Sequence, residues 1–394
     1  MNPRARLTYI VLTALFPCLA FATLSAVSML ASAHAGAHLP QGSPLKSEEK
    51  TFIIAARHSG DVEFIDPATL ETVSRIHIDV NPNGVGLNGV FVNEDGSTIY
   101  VEGPTSQEGR ACCSLYSIDL ATMETKKAAG IWGSSSREPI VIADEVVYQA
   151  PKLASGGITK NEIGFGFHLS SNRSSLIGMT SSLAPEIDLY DLSAGPIIRK
   201  LKPPDLGEGW WASGTWSGDD FYLYANKFGQ PDARIWTLSI NTTQLDDGVT
   251  VEPHGEVPGC QHEIFEAVTA AGGNLFLYEL FGGKFDRRSG CDQTIPGGAW
   301  LLDPRTGRLL KHIAPDLYFS ELIPDRARPV LYGLSTDDEN RYSSVKLVRI
   351  DARDARVLQT RALDPDYWRI VTAPVQTLPQ VDAHVVLPQA VKQN

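Results

Sequence analysis

Residues 52–66 read FIIAARHSGDVEFID, and this pattern is the starting point for predicting the fold. Two runs rich in aliphatic and aromatic residues flank the turn residues Ser59-Gly60, and Asp66 with Pro67 ends the second run. Such runs, bounded by Gly, Pro, Asn or Asp, are typical of short antiparallel strands joined by tight turns. A strand-like run that ends in Asp or Asn and is followed by turn residues recurs along the chain. We take the Asp or Asn of this motif as its marker, and the markers are Asp66, Asp119, Asp191, Asn241, Asp303 and Asp351.

The spacing of the markers predicts an all-β fold built from repeats. Successive markers are 53, 72, 50, 62 and 48 residues apart. Several short strands in each repeat of about 40–50 residues are typical of a β-propeller, because a four-stranded blade buries its faces only against neighbouring blades. The 72-residue gap has room for an extra blade, built from residues 139–149 and 158–169. We therefore predict a seven-bladed β-propeller of four-stranded antiparallel blades, with six or eight blades as alternatives.

The predicted propeller is a single domain over residues 51–390. Residues 369–387 are expected to supply strands that close the ring against the N-terminal strand, residues 51–56. Patterns with a period of two dominate, and no long amphipathic helical pattern competes with them.

Composition excludes several classes of protein. The 394 residues are 43% hydrophobic and 20% charged, which is typical of a globular chain. The net charge of −12, without a compensating basic stripe, argues against a nucleic-acid binder, whose affinity would rest on Lys and Arg contacts to phosphate.

The N-terminus resembles an export signal. Arg4 and Arg6 precede an apolar run over residues 7–30, and Ala33-His34-Ala35 offers small residues before Gly36, as cleavage requires. We expect residues 1–35 to be a signal peptide, residues 36–50 a flexible arm, and the location to be the periplasm. An uncleaved membrane anchor is the alternative, since the run is long enough to span a bilayer. Cleavage would shift the net charge from −12 to −14.

Export changes the interpretation of the cysteines. Four remain after cleavage, namely Cys112, Cys113, Cys260 and Cys291. An even count in an oxidising compartment indicates disulfides. One interpretation pairs Cys260 with Cys291 and leaves a vicinal Cys112–Cys113 ring. The alternative pairs Cys112 and Cys113 separately with the other two.

Several stretches resemble known propeller families. Residues 52–66 are similar to the YVTN-type propeller repeat. Other stretches are similar to the heavy chain of periplasmic amine dehydrogenases: residues 93–96 through 118–119, residues 257–262 (Val-Pro-Gly-Cys-Gln-His), and residues 301–310 with 331–336. The resemblance covers most of residues 50–375 and consists largely of repeat-type motifs.

The resemblance implies a non-catalytic role. In that family the heavy chain is a seven-bladed propeller that holds a small, disulfide-rich light chain. The light chain carries a tryptophan-derived quinone, oxidises primary amines and passes electrons to a copper protein. Where such heavy chains place an aromatic channel residue, this chain has Arg57-His58-Ser59.

Contact residues for the funnel or a partner are predicted, and no catalytic, cofactor-binding or metal-ligating residue is assigned. The predicted contacts are His58, His262, Trp210 and Trp211. The Gly84-Val85-Gly86-Leu87-Asn88-Gly89 stretch matches a dinucleotide fingerprint, but it leads into another strand instead of a helix and is interpreted as a turn. Likewise, His262-Glu263-Ile264-Phe265-Glu266 lacks the second histidine of a zinc-protease motif.

Three functional hypotheses follow. The first is the heavy subunit of an amine dehydrogenase or a similar redox assembly, with no cofactor on this chain and no contact with nucleic acid or, after signal cleavage, with a membrane. The second is a stand-alone YVTN-type propeller that binds a ligand or a protein. The third is an enzyme in its own right. A co-purifying small partner would separate the first from the second, and turnover by the chain alone would support the third.

Overall fold

The computed structural model describes the chain in segments. They are residues 50–79, 86–87, 89–92, 96–103, 114–130, 140–142, 145–147, 167–169, 175–179, 187–191, 197–201, 203, 210–227, 233–251, 265–279, 283–284, 294–295, 297–325, 327–336, 344–380 and 382–386. Every regular element in these segments is a β-strand. Within them, no helix is long and apolar enough to cross a membrane.

The described segments contain thirty strands. They are β1 (Thr51–Arg57), β2 (Asp61–Ile65), β3 (Thr72–Ile78), β4 (Gly89–Val92), β5 (Thr98–Gly103), β6 (Ser114–Asp119), β7 (Thr125–Gly130), β8 (Ile140–Ile142), β9 (Glu145–Val147), β10 (Phe167–Leu169), β11 (Ser175–Met179), β12 (Ile187–Asp191), β13 (Ile197–Leu201), β14 (Trp210–Ser217), β15 (Asp220–Lys227), β16 (Ala233–Ser239), β17 (Gln244–Leu245), β18 (Val249–Thr250), β19 (Phe265–Thr269), β20 (Leu275–Glu279), β21 (Gly283–Lys284), β22 (Thr294–Ile295), β23 (Ala299–Asp303), β24 (Arg308–Ile313), β25 (Tyr318–Pro324), β26 (Val330–Thr336), β27 (Val345–Asp351), β28 (Arg356–Leu363), β29 (Tyr367–Pro374) and β30 (Ala383–Val385).

Most strands pair with their neighbours in the chain. In the described part, the sheets of four or more strands have the orders β29-β1-β2-β3-β30, β4-β5-β6-β7, β10-β11-β12-β13, β14-β15-β16-β17 with β18 also on β16, β19-β20-β23-β24, and β25-β26-β27-β28. The first strand of each sheet lies innermost, because β29 contacts both β4 and β25, and β14 contacts both β10 and β19. Antiparallel blades packed around one axis in this way form a β-propeller, as the repeats predict.

Hydrophobic clusters fill the spaces between adjacent blades. One joins the sheets of β1 and β4, a second joins the sheets of β1 and β25, and a third joins the sheets of β19 and β25. A fourth joins the sheets that contain β14 and β19. Each blade therefore buries its faces against its neighbours, because a single sheet has no other apolar surface to cover them.

The two ends of the propeller sequence meet in one blade. Strand β29 pairs antiparallel with β1, from Thr51 opposite Pro374 to Arg57 opposite Tyr367. This pairing confirms the expected closure against residues 51–56, although the closing strand begins at Tyr367, two residues earlier than predicted. Strand β30 then adds to the outer edge of the blade by pairing parallel with β3.

The repeated Asp motif lies at the turn between the third and fourth strands of a blade. Asp66, for example, accepts hydrogen bonds at Oδ1 from the backbone N–H groups of Ala68 and Thr69, and Asp119 binds Ala121 and Thr122 in the same way. The residue four positions after each of these two Asp residues has a positive φ, 59° at both Leu70 and Met123.

In the β16–β17 turn the predicted marker, Asn241, lies two residues after the position that corresponds to Asp66. Leu70 N–H donates to the carbonyl of Asp66, and the equivalent bond there runs from Thr243 N–H to the carbonyl of Ser239. Thr243 also has a positive φ, of 52°. Ser239, not Asn241, therefore occupies the Asp position, and a pattern defined by Asp or Asn does not detect a serine there.

The predicted extra blade is only partly described. Strands β8 and β9 form a two-stranded antiparallel sheet within residues 139–149. Residues 167–169, which were assigned to the same blade, instead form β10 and pair with β11 in the next sheet. That part of the prediction is wrong, and residues 158–166 lie outside the described segments. The count of seven blades stays a prediction.

Polar side chains on the innermost strand of one blade accept hydrogen bonds from backbone N–H groups on the innermost strand of the next blade. Ser213 Oγ on β14 accepts a hydrogen bond of 3.1 Å from Ala267 N–H on β19, and Thr215 Oγ1 accepts one of 3.2 Å from Thr269 N–H. All of these groups are buried. The innermost strand has a ladder partner on one side only, so its other backbone groups need side-chain or solvent partners.

We expect the double variant Ser213→Ala, Thr215→Val to lower the free energy of unfolding. Each substitution removes the acceptor of a buried backbone N–H, which costs about 1–3 kcal/mol. Urea denaturation followed by tryptophan fluorescence measures the loss. Thr250→Ala, at an exposed position on β18, is the control and should change stability by less than about 0.5 kcal/mol. Equal stabilities for the double variant and the control would contradict this account of the inner edges.

Candidate functional site

The start of β29 brings two distant turns together at one end of the closing blade. The β1–β2 turn contains His58, and the β28–β29 turn contains Asp364 and Asp366. His58 N–H donates a 3.0 Å hydrogen bond to the carbonyl of Asp366. These turns are separated by some 300 residues of sequence, so their contact depends on closure of the ring.

A β-bulge directs Trp368 out of the ladder. Ala56 lies opposite Arg369 and Arg57 lies opposite Tyr367, so Trp368 has no residue opposite it on β1. A bulge of this kind re-aims a side chain. The Trp368 ring lies against the ring of His58, with centroids 4.8 Å apart and planes at 42°. We call Arg57, His58, Asp364, Asp366 and Trp368 the closure rim.

The guanidinium of Arg57 is the electrostatic centre of the closure rim. Its Nε lies 2.8 Å from Asp366 Oδ1, and its Nη2 lies 3.0 Å from Asp364 Oδ2. Its Nη1 lies 3.4 Å from Asp61 Oδ2 and 3.7 Å from Glu63 Oε1. Burial acts to lower the pKa of Arg57, but the hydrogen bond and charge of Asp366 outweigh it and raise this pKa above its ordinary value.

The rim carboxylates differ in exposure. Burial acts to raise the pKa of Asp366, but hydrogen bonds from Ser59 and Arg57 outweigh it and lower this pKa below its ordinary value. The side chain of Asp364 is 66% exposed and faces solvent. Its Oδ2 pairs with Arg57, and its exposed side offers carboxylate oxygen to a cationic group in solution.

A buried contact between an acid and a guanidinium lies deeper along the same strand. The carboxylate of Glu321 on β25 accepts a 2.7 Å hydrogen bond at Oε2 from Ile370 N–H, and its Oε1 lies 3.5 Å from Arg369 Nη1. The side chains of Glu321 and Arg369 are 1% and 2% exposed. Burial raises the pKa of Glu321 from 4.5 to about 7, although the charge of Arg369 and the Ile370 bond act to lower it. The pair joins the last blade to the closing strand.

Gly86 supports the rim from the neighbouring blade. It has a φ of +78°, and a Cβ at this position would lie 2.2 Å from the carbonyl oxygen of His58. Strand β4 begins at Gly89 soon after it, so the glycine-rich stretch leads into a strand as predicted. Gly86 is needed here because of this close approach of two backbones.

The structure places only some of the predicted contact residues. His58 belongs to the closure rim. Trp210 and Trp211 form the start of β14, and their side chains lie outside what the structure describes. The remaining predicted residues also lie outside the described segments, namely His262, Cys112, Cys113, Cys260 and Cys291. The disulfide pairings therefore stay predictions.

The predicted contacts do not include the other rim residues. Asp364, Asp366 and Trp368 stand immediately before the segment that was expected to close the ring at residue 369. The run Asp364-Pro365-Asp366 was the available signal, since acids and Pro at the entry to a closing strand indicate a turn at the funnel edge.

Comparisons with known proteins give structural likenesses only. No protein-family model matches the sequence, and the comparison with curated proteins finds no match. Among solved structures, the dihydro-heme d1 dehydrogenase NirN is 12% identical, with a TM-score of 0.46 over 83% of this chain, and the chain spans 66% of NirN's length, just under two thirds. Kuenenia stuttgartiensis hydrazine synthase is 13% identical over 79% of this chain and 80% of that chain, with a TM-score of 0.37. The Dos1 propeller is 11% identical over 70% of this chain and 60% of that chain, with a TM-score of 0.36.

We expect Glu321 to make stability fall as pH rises from about 5 to about 7.5. In this window the folded chain keeps a proton on Glu321 that the unfolded chain has already released, because the folded pKa is about 7 and the ordinary value is 4.5. Urea denaturation at several pH values should show a decline of about 1–3 kcal/mol from this group.

The variant Glu321→Gln should lack this part of the pH dependence. Glu124→Gln, at an exposed position, is the matched control and should retain it. A pH profile of Glu321→Gln with the same slope as that of the natural chain would show that Glu321 is already ionised in the folded protein.

Proposed function

We propose that this chain is an exported, non-catalytic binding subunit in a redox assembly of the amine dehydrogenase type, located in the periplasm. In this proposal a separate small light chain carries the tryptophan-derived quinone and passes electrons to a copper protein. The heavy chain holds the light chain at the closure rim. The resemblance of residues 257–262 and 331–336 to such heavy chains supports the proposal.

The rim geometry is the observation that carries the proposal. A bulge changes the direction of Trp368, whose ring lies against His58, and the carboxylate of Asp364 in the adjoining β28–β29 turn is exposed. Tryptophan is enriched among residues that dominate interface energies, and neighbouring acids favour a partner surface that carries Lys, Arg or a substrate ammonium. The rim is also rigid, since Arg57 joins both of its turns.

A stand-alone ligand-binding propeller is the second candidate. The charge of Arg57 is satisfied by carboxylates within this chain, so the rim is complete without a partner subunit. In that case the aromatic pair and Asp364 would receive a small cationic ligand.

Recovery of the full chain from its native host tests the proposal. We expect a chain carrying an affinity tag to bring down a stoichiometric, disulfide-rich light chain, identified by mass spectrometry, together with a visible quinone absorption band. Trp368→Ala should reduce recovery of the light chain at least about tenfold, because loss of an aromatic anchor typically costs more than 1–2 kcal/mol.

Leu310→Ala is the matched control, because Leu310 is an exposed apolar residue on the outer strand β24. It should leave recovery unchanged. A colourless chain that is recovered alone would overturn the subunit proposal and favour the stand-alone propeller.

A further inference from the structure

A histidine and carboxylate cluster lies on the outer edge of the closing blade. Strand β30 pairs parallel with β3 so that His384 lies directly opposite His77. Asp79 follows β3, and its backbone N–H donates a 3.1 Å hydrogen bond to the carbonyl of Val385. Three metal-binding side chains therefore meet where the C-terminal strand joins the propeller.

The ligand atoms of this cluster converge on one space. His384 Nε2 lies 3.0 Å from Asp79 Oδ1, and His77 Nε2 lies 3.8 Å from the same oxygen. Ligand atoms of the three residues all lie within 4.8 Å of one another. Ligands about 2.0–2.2 Å from a tetrahedral metal ion are roughly 3.3–3.6 Å apart, so small side-chain rotations are sufficient to bind one.

A second carboxylate orients the first histidine. Asp61 Oδ1 lies 2.7 Å from His77 Nδ1. This contact favours the proton on Nδ1, as in the carboxylate–histidine–metal arrangements of known metal sites. In that tautomer His77 Nε2 presents a lone pair 3.8 Å from the carboxylate of Asp79, and a cation bound to both groups would relieve the repulsion between them.

We propose that His77, Asp79 and His384 bind one divalent transition-metal ion of the Zn²⁺ type, with water completing the coordination. Two imidazole nitrogens and one carboxylate oxygen suit Zn²⁺, whereas Ca²⁺ and Mg²⁺ prefer ligand sets made of oxygen. The three side chains are 46%, 51% and 55% exposed, so the ion enters directly from solvent. By joining β3 to the three-residue strand β30, it fastens the C-terminal end of the chain.

Calorimetric titration with ZnCl₂ tests the site on the full chain, carrying a tag without histidines and treated beforehand with a chelator. We expect one equivalent to bind. His77→Gln and His384→Gln should each weaken this binding at least a hundredfold. Asp61→Asn, which keeps all three proposed ligands and removes the orienting carboxylate, should weaken it about 10–100-fold. His312→Gln, on the exposed outer strand β24, is the control and should bind zinc normally.

Hydrogen exchange gives a second readout that a site elsewhere on the chain would not produce. Zinc should slow exchange of the backbone amides of β30 in the natural chain and leave it unchanged in His384→Gln. The proposal is overturned if zinc binds no more tightly than millimolar, or if His384→Gln binds it as the natural chain does. It is also overturned if acidification alone slows exchange in β30 and zinc does not, because the bridging cation is then a proton.

Discussion

The innermost strand of a blade has backbone groups on one edge without a ladder partner, and at two junctions the neighbouring blade supplies polar side chains that bind them. Hydroxyl groups do this between β14 and β19. At the closure a carboxylate does it instead, because Glu321 accepts the N–H of Ile370. A buried carboxylate costs more to desolvate than a hydroxyl, and the nearby charge of Arg369 offsets part of that cost. The last blade and the closing strand are thus held by a buried carboxyl group that also lies beside the guanidinium of Arg369.

The closure also creates the candidate site. Arg57 ends β1, and its carboxylate partners Asp364 and Asp366 precede β29, so neither turn has this environment until the two strands pair. The bulge at Trp368 is a consequence of the same pairing, because a bulge exists only relative to a partner strand. The binding surface proposed here is therefore a product of tertiary structure, and it would be lost with the closure even if every blade kept its own strands.

This dependence explains what the sequence could predict. The repeated Asp motif forms a local turn, in which the Asp side chain accepts hydrogen bonds from backbone N–H groups two or three residues later. Because this turn is encoded locally, the motif located the blades correctly at Asp66 and Asp119. It failed where Ser239 occupies the same turn, and it could not assign β10 to a blade, because a three-residue strand has too little pattern. The approach of His77 to His384 arises from the parallel pairing of β30, and no local period in the sequence encodes that pairing.

Asp61 links the histidine and carboxylate cluster of β3 and β30 to the closure rim. Its Oδ1 lies 2.7 Å from His77 Nδ1, and its Oδ2 lies 3.4 Å from Arg57 Nη1. A carboxylate is rigid and planar, so rotation that improves one of these contacts changes the other. A cation between His77 and Asp79 would hold the imidazole in place and with it the orientation of Asp61. The guanidinium of Arg57, which joins the two turns of the rim, would then have a partner of fixed orientation. In this way β30 would stabilise the rim through the carboxylate of Asp61.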